Sequence, residues 1–210
     1  MKRSLGFLVV SAALASISCR KKQPAPDILM IPSHAETSPA GGSSPAAVSP
    51  EGAVDVAGVS FSVPPEWRRE SPSSPMRAAQ FAIPGAGNEK DGLFVVYFFG
   101  SGQGGGVAEN IERWKGQFLD ASGQPAAGNV SSDRRNGLAV TIVTAEGTYS
   151  SGLPMGPAAP EPNSELWGAI VEGPQGNVFF KATGPKATVE RSKAGFETVL
   201  ASLRNASTRM

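Results

Sequence analysis

The 210 residues contain one cysteine and one histidine, and each shortage excludes chemistry. A lone cysteine has no partner within the chain for a disulfide, so the fold must rest on its core. The one histidine, His34, lies in a stretch rich in Pro, Ala and Ser. A Ser-His-Asp triad, a Cys-His dyad and a histidine-based zinc site each need a histidine fixed in a rigid shell, so none can be assembled. Neither a metal nor a cofactor is expected. Charge of one sign is also missing: 19 Lys and Arg face 18 Asp and Glu. Without Lys2 and Arg3 the balance is 17 to 18, a net charge of −1. With no basic stripe, the electrostatic footprint of a nucleic-acid binder is absent.

Long hydrophobic runs are scarce too. The uncharged, largely apolar run from Leu5 to Ile17 follows Lys2 and Arg3. It is shorter than the about 20 residues that span a bilayer as a helix, and fits the core of a signal peptide. Small residues, Ala15-Ser16-Ile17-Ser18, then lead into Cys19. This resembles the bacterial lipobox, which implies cleavage before Cys19, lipid on its thiol and attachment to a membrane. An ordinary signal peptidase acting after Ala13-x-Ala15, or an uncleaved anchor, are the competing readings. The position of the sole cysteine favours lipidation. Arg20 stands where many inner-membrane lipoproteins carry aspartate, so the expected home is the outer membrane facing the periplasm.

Residues 1–18 are thus read as a signal peptide and 19–52 as a lipid-anchored linker. From Gln23 to Gly52 prolines recur and Phe, Trp and Tyr are absent, too little apolar area to offset the ordering entropy. Such a tether reaches roughly 30 Å. Residues 53–205 are read as a single globular domain, with 206–210 as a tail.

Within that domain, Val59-Ser60-Phe61-Ser62-Val63 alternates with period two and predicts a half-buried strand. Further strands are expected over 76–83, 93–99, 138–145, 167–171 and 178–182, the last two joined as a hairpin around Gly173-Pro174-Gln175-Gly176-Asn177. Val107, Ile111, Trp114 and Phe118 fall on one helical face, and a closing helix over 188–203 carries Phe196, Val199, Leu200 and Leu203 on one stripe. The expectation is α+β: an antiparallel sheet covered by helices.

Phe61-Ser62-Val63-Pro64-Pro65-Glu66-Trp67 resembles the Phe-x-x-Pro-x-x-Trp start of PsbP-like domains. The resemblance implies an α-β-α sandwich, a fold shared by photosystem extrinsic proteins and a nuclear import factor. The segments from Gly102 to Trp114 and from Phe180 to Pro185 resemble uncharacterised bacterial secreted proteins. No activity comes with either likeness.

Several residues carry candidate chemistry. Gly100-Ser101-Gly102-Gln103-Gly104-Gly105 has the form G-x-G-x-x-G between a strand and a helix, with Asp120 twenty residues beyond Gly100. Asp120 falls at the end of the helix and not of a second parallel strand, so a dinucleotide site is not expected. Gly104 and Gly105 remain candidates for holding an anion at the helix start. Asn110, Arg113, Trp114 and Gln117 form a candidate partner-binding ridge, with a buried Trp114 beside a solvated Arg113 as the alternative. Lys181, between Phe180 and Ala182, is an unusual ammonium in a strand. Buried, it would be a base or one half of a Ser–Lys dyad; facing solvent, it would be inert or paired with Glu172. Glu89 and Asp91 flank a loop with nothing placing them opposite another acid. The Ser150–Asn163 stretch is long enough to be functional. The functional expectation is a non-catalytic envelope module with an envelope protein partner; the competing class is an envelope enzyme using Lys181 or carboxylates.

Overall fold

The computed structural model describes residues 47–48, 52–150 and 159–206. Cys19 and most of the proline-rich segment lie outside them. Four short strands, β1 (Ala47–Val48), β2 (Val54–Val56), β3 (Val59–Phe61) and the C-terminal β12 (Arg204–Asn205), form a small sheet in the order β1-β2-β3-β12. The main sheet contains β4 (Arg68–Glu70), β5 (Arg77–Ile83), β6 (Gly92–Tyr97), β7 (Phe118–Leu119), β8 (Asn129–Arg135), β9 (Leu138–Tyr149), β10 (Glu161–Gly173) and β11 (Gly176–Pro185). Its order is β4-β5-β6-β11-β10-β9-β7, with β8 also on β9. Each of these pairings is antiparallel. The chain is therefore an α+β protein with an antiparallel sheet.

Alternation on β11 divides the interior. Phe180 and Ala182 point to one face; Phe179 points to the other. On the first face Phe180 meets Phe61 edge-on at 4.9 Å, and Phe94 meets Phe196 at 6.3 Å. That layer holds the small sheet and helices α2 (Lys186–Arg191) and α3 (Lys193–Ala201). On the second face α1 (Val107–Lys115) brings Trp114 against Phe179. Helices thus cover both faces of the sheet. The motif at the start of the domain has a structural role here: Phe61, Pro64 and Trp67 are buried, and the Trp67 N–H donates to the Pro64 carbonyl at 3.0 Å.

Three element expectations need correction. Phe118 is not helical: α1 ends at Lys115, Gly116 caps it, and Phe118 enters β7 opposite Tyr149. Glycine is a poor helix former, and the strand pairing takes over within two residues. The closing helix is broken at Ser192, whose Oγ donates to the Val189 carbonyl at 2.8 Å and so competes with the helical ladder. Leu203 lies beyond that helix yet is fully buried. Finally, β1 falls inside the segment read as linker, pairing Ala47 with Asp55 and Val48 with Val54.

Candidate functional site

The face under α1 carries the polar chemistry. Lys181 lies opposite Val95 on β6 and Gly168 on β10, two residues along from Phe179, which places its side chain under α1. Its face is the one opposite Phe180, as alternation requires, but that face is not solvated. Lys181 is 8% exposed. Its Nζ donates to Gln117 Oε1 and lies 5.4 Å from the centre of the Tyr149 ring. Pairing with Glu172 does not occur, because Glu172 stands opposite Asn177, four residues along β10 from Gly168.

The cover over Lys181 is built by α1 and β7. Trp114 lies on Gly168, where any β-carbon would stand 2.5 Å from the indole. Just past the helix, the Ser150 N–H donates to the Gln117 carbonyl at 2.7 Å, and the Phe118 ring packs at a tilt against Tyr149, 5.1 Å between centres. Glycine on the sheet and tryptophan on the helix let the two backbones approach, which lowers Gln117 onto the lysine.

Two more cations act on this site. Arg77 begins β5 opposite Tyr97, and Arg113 comes from the exposed side of α1. Burial pushes the Lys181 ammonium down to about 7, and the charges of Arg113 and Arg77 push the same way. Burial also raises Tyr149, helped by neighbouring Tyr97 and Glu161 and opposed by Arg77. Each cation is held by a carboxamide oxygen: Lys181 by Gln117, Arg113 by Asn110 Oδ1, and Arg77 by Gln80 Oε1 at 2.7 Å. Among the described residues none of the three makes an ion pair with a carboxylate. The site therefore holds excess positive charge on neutral acceptors.

Of the residues singled out from the sequence, Arg113, Gln117 and Lys181 come together. Asn110 and Trp114 are buried and serve the packing: Asn110 Nδ2 donates to the carbonyls of Gly104 at 2.9 Å and Gly106 at 2.8 Å. Gly104 and Gly105 serve close packing at the start of α1. Both have positive φ, +87° and +83°, and a β-carbon on Gly104 would meet Phe99 at 2.6 Å. The helix start is already occupied by a carboxylate, since Glu109 Oε2 accepts the Gly106 N–H at 2.5 Å. Asp120 holds its own turn through the N–H groups of Ser122 and Gln124. The hydrogen bond from Ser122 Oγ, then that of the Gln124 N–H, keep its carboxyl low.

Asp91 is likewise structural, accepting from the Gly85 N–H at 2.9 Å and from Arg68 at 2.5 Å. Glu89 shares a groove of about 410 Å³ with a second acid, Glu161, and with Lys90 and Ser164. Among the described residues no serine is hydrogen-bonded to Lys181, whose Nζ donates to Gln117. Part of the Ser150–Asn163 stretch, residues 151–158, lies outside the described residues. Arg77, Tyr97 and Tyr149 escaped the sequence reading. Arg77 and Tyr97 sit in strands read for their apolar residues, and Tyr149 lies beyond the expected end of its strand.

No family model matches the chain, and no curated protein matches it. Among solved structures, the chain is similar to the cyanobacterial PsbP protein CyanoP of Synechocystis sp. PCC 6803, at 15% identity and a TM-score of 0.47. That match covers 70% of this chain and 86% of the other. A protein of unknown function from Pseudomonas aeruginosa matches at 14% identity and a TM-score of 0.41, covering 69% of this chain and 90% of that one.

Proposed function

We propose that the chain is an envelope lipoprotein whose domain binds a partner, an envelope protein or other envelope component, through the Lys181 face. In this reading it is cleaved before Cys19, carries lipid there, and faces the periplasm from the outer membrane. One observation supports the binding role: Lys181 under α1, Arg113 on its exposed side and half-buried Arg77 on β5 each rest on a carboxamide where a purely structural site would have a carboxylate. Unmatched positive charge beneath a partly exposed ridge is a free-energy reserve for a partner of opposite charge. The lipobox pattern and the sole cysteine support the anchor.

Both halves can be tested in the full chain. Cys19→Ala removes metabolic palmitate labelling and leaves the precursor uncleaved; normal processing to the same mature mass overturns the anchor. A photo-crosslinking side chain in place of exposed Glu112, next to Arg113 on α1, captures one recurrent envelope adduct that the same group at exposed Val130 on β8 does not. Equal yields from both positions, or none from either, overturn the binding role.

A second reading, an enzyme using the Lys181 amine, is favoured by its lowered pKa of about 7. An amine near half-neutral at pH 7 is a competent base or nucleophile. This reading requires Lys181 to react with an amine-directed reagent faster than exposed Lys90 at neutral pH. The cover of Gln117 and Tyr149 favours the opposite result.

A further inference from the structure

Resting on that binding role, we infer that Arg77, Arg113 and Lys181 form a site for a phosphoryl group presented by the partner. Charge selects this ligand. Three cations come from β5, α1 and β11: Arg113 lies four residues before Gln117, which accepts from Lys181, and Arg77 lies opposite Tyr97, itself opposite Phe179 on the Lys181 face. Glu161 is the carboxylate whose charge reaches their neighbour Tyr149. Glu70 touches these cations only through Gln80, whose Nε2 donates to Glu70 Oε2 at 2.8 Å. With Lys181 about half-charged near neutral pH, the surplus over Glu161 is about one and a half positive charges. A phosphate monoester carries about −1.5 to −2 at neutral pH, whereas a carboxylate carries one charge and leaves part of the surplus unmatched.

The donor set points the same way. Two guanidinium forks and one ammonium offer more donors than a two-oxygen carboxylate accepts, and suit three phosphoryl oxygens. The carboxamides now accepting from these cations are neutral, so exchanging them for an anion gains charge without breaking an ion pair. Exposure is graded from Arg113 at the surface, through half-buried Arg77, to buried Lys181. A phosphoryl group thus meets a guanidinium first and the desolvated amine last.

Calorimetric titration of the full chain with inorganic phosphate, in two buffers of different ionisation enthalpy just above neutral pH, tests the inference. One phosphate binds per chain and takes up protons, because the anion returns Lys181 to its charged form. Acetate binds at least about tenfold more weakly. Lys181→Met and the exposed Arg113→Gln each weaken phosphate about tenfold or more, while Arg134→Gln on β8 leaves it unchanged. Vesicles of phosphatidic acid in phosphatidylcholine then distinguish the sources: retention points to a lipid monoester, and phosphate binding without retention to a soluble phosphate. Absence of phosphate binding, or binding indifferent to Arg113→Gln, overturns the inference. If phosphate fails while the crosslink from position 112 persists, the binding role stands and only the phosphoryl assignment falls.

Discussion

Gly168 tests the geometry that creates the site. Its missing side chain lets the Trp114 indole lie on β10, and an added β-carbon would stand 2.5 Å from Trp114 Cζ3 and 2.7 Å from Cε3. Carbon atoms pack at about 3.5–4.0 Å, so the helix must lift by about an ångström or the indole must leave its rotamer. Neither adjustment is small, because Trp114 is also fixed against Phe179. Overpacking of this kind costs about 1–3 kcal/mol. Backbone entropy works the other way: alanine in a strand is favoured over glycine by about 0.5–1 kcal/mol.

Gly168→Ala should therefore destabilise the native chain by about 1–3 kcal/mol. In a Trp114→Leu background it should be neutral or slightly stabilising, a coupling of about 1–3 kcal/mol. Urea unfolding of the four proteins measures this, with the midpoint moving and the slope held constant. Equal cost in both backgrounds, or no cost in the native one, would refute the close approach of helix and sheet.

Two further outcomes follow from single residues. Lys181→Met should raise stability by up to about 1–4 kcal/mol at neutral pH and below, since a desolvated ammonium is replaced by an apolar chain of similar length. Because the folded amine titrates at about 7 and the unfolded one near the ordinary lysine value, the native chain gains stability as pH rises between them, and the advantage of methionine fades over that interval. Guanidinium melts across pH check this; an advantage that does not change with pH contradicts the buried charge. Ala57 has φ +50° in the two-residue turn joining β2 to β3, so Ala57→Gly should add up to about 1 kcal/mol, measured by thermal unfolding.

Much of the fold was legible because it depends on local period. The strand expected over Val59–Val63 is present at Val59–Phe61, although buried on both faces and not on one, and the strand expected over Val178–Ala182 lies within β11. The turn beginning at Gly173 also read correctly, with Gly173 opposite Gly176. β8 was missed for a physical reason. Asn136-Gly137 has the positive φ angles, +48° and +86°, of a tight hairpin turn, but the strand before it, Asn129 to Arg135, lies largely exposed and has no apolar alternation. Its pairing with β9 supplies what its side chains do not.

The site was legible only in part. Lys181 stands out in the sequence, but whether its face is covered depends on Gln117, 64 residues away, and on Tyr149. Arg77 is set on this face by a register shift between Arg77 and Ala79, which no periodicity shows. Tertiary cover, unlike strand period, leaves no trace in local sequence.

The account turns on the charge state of one amine. Heteronuclear NMR titration of the Lys181 side chain in the full chain, its signal assigned by loss in Lys181→Met, measures that state directly. The account predicts a midpoint of about 7 in the free protein. A midpoint near ~10.4, the value of a solvated or well-paired lysine, would mean that the cation cluster under α1 is not desolvated and unmatched, and the site described here would not exist.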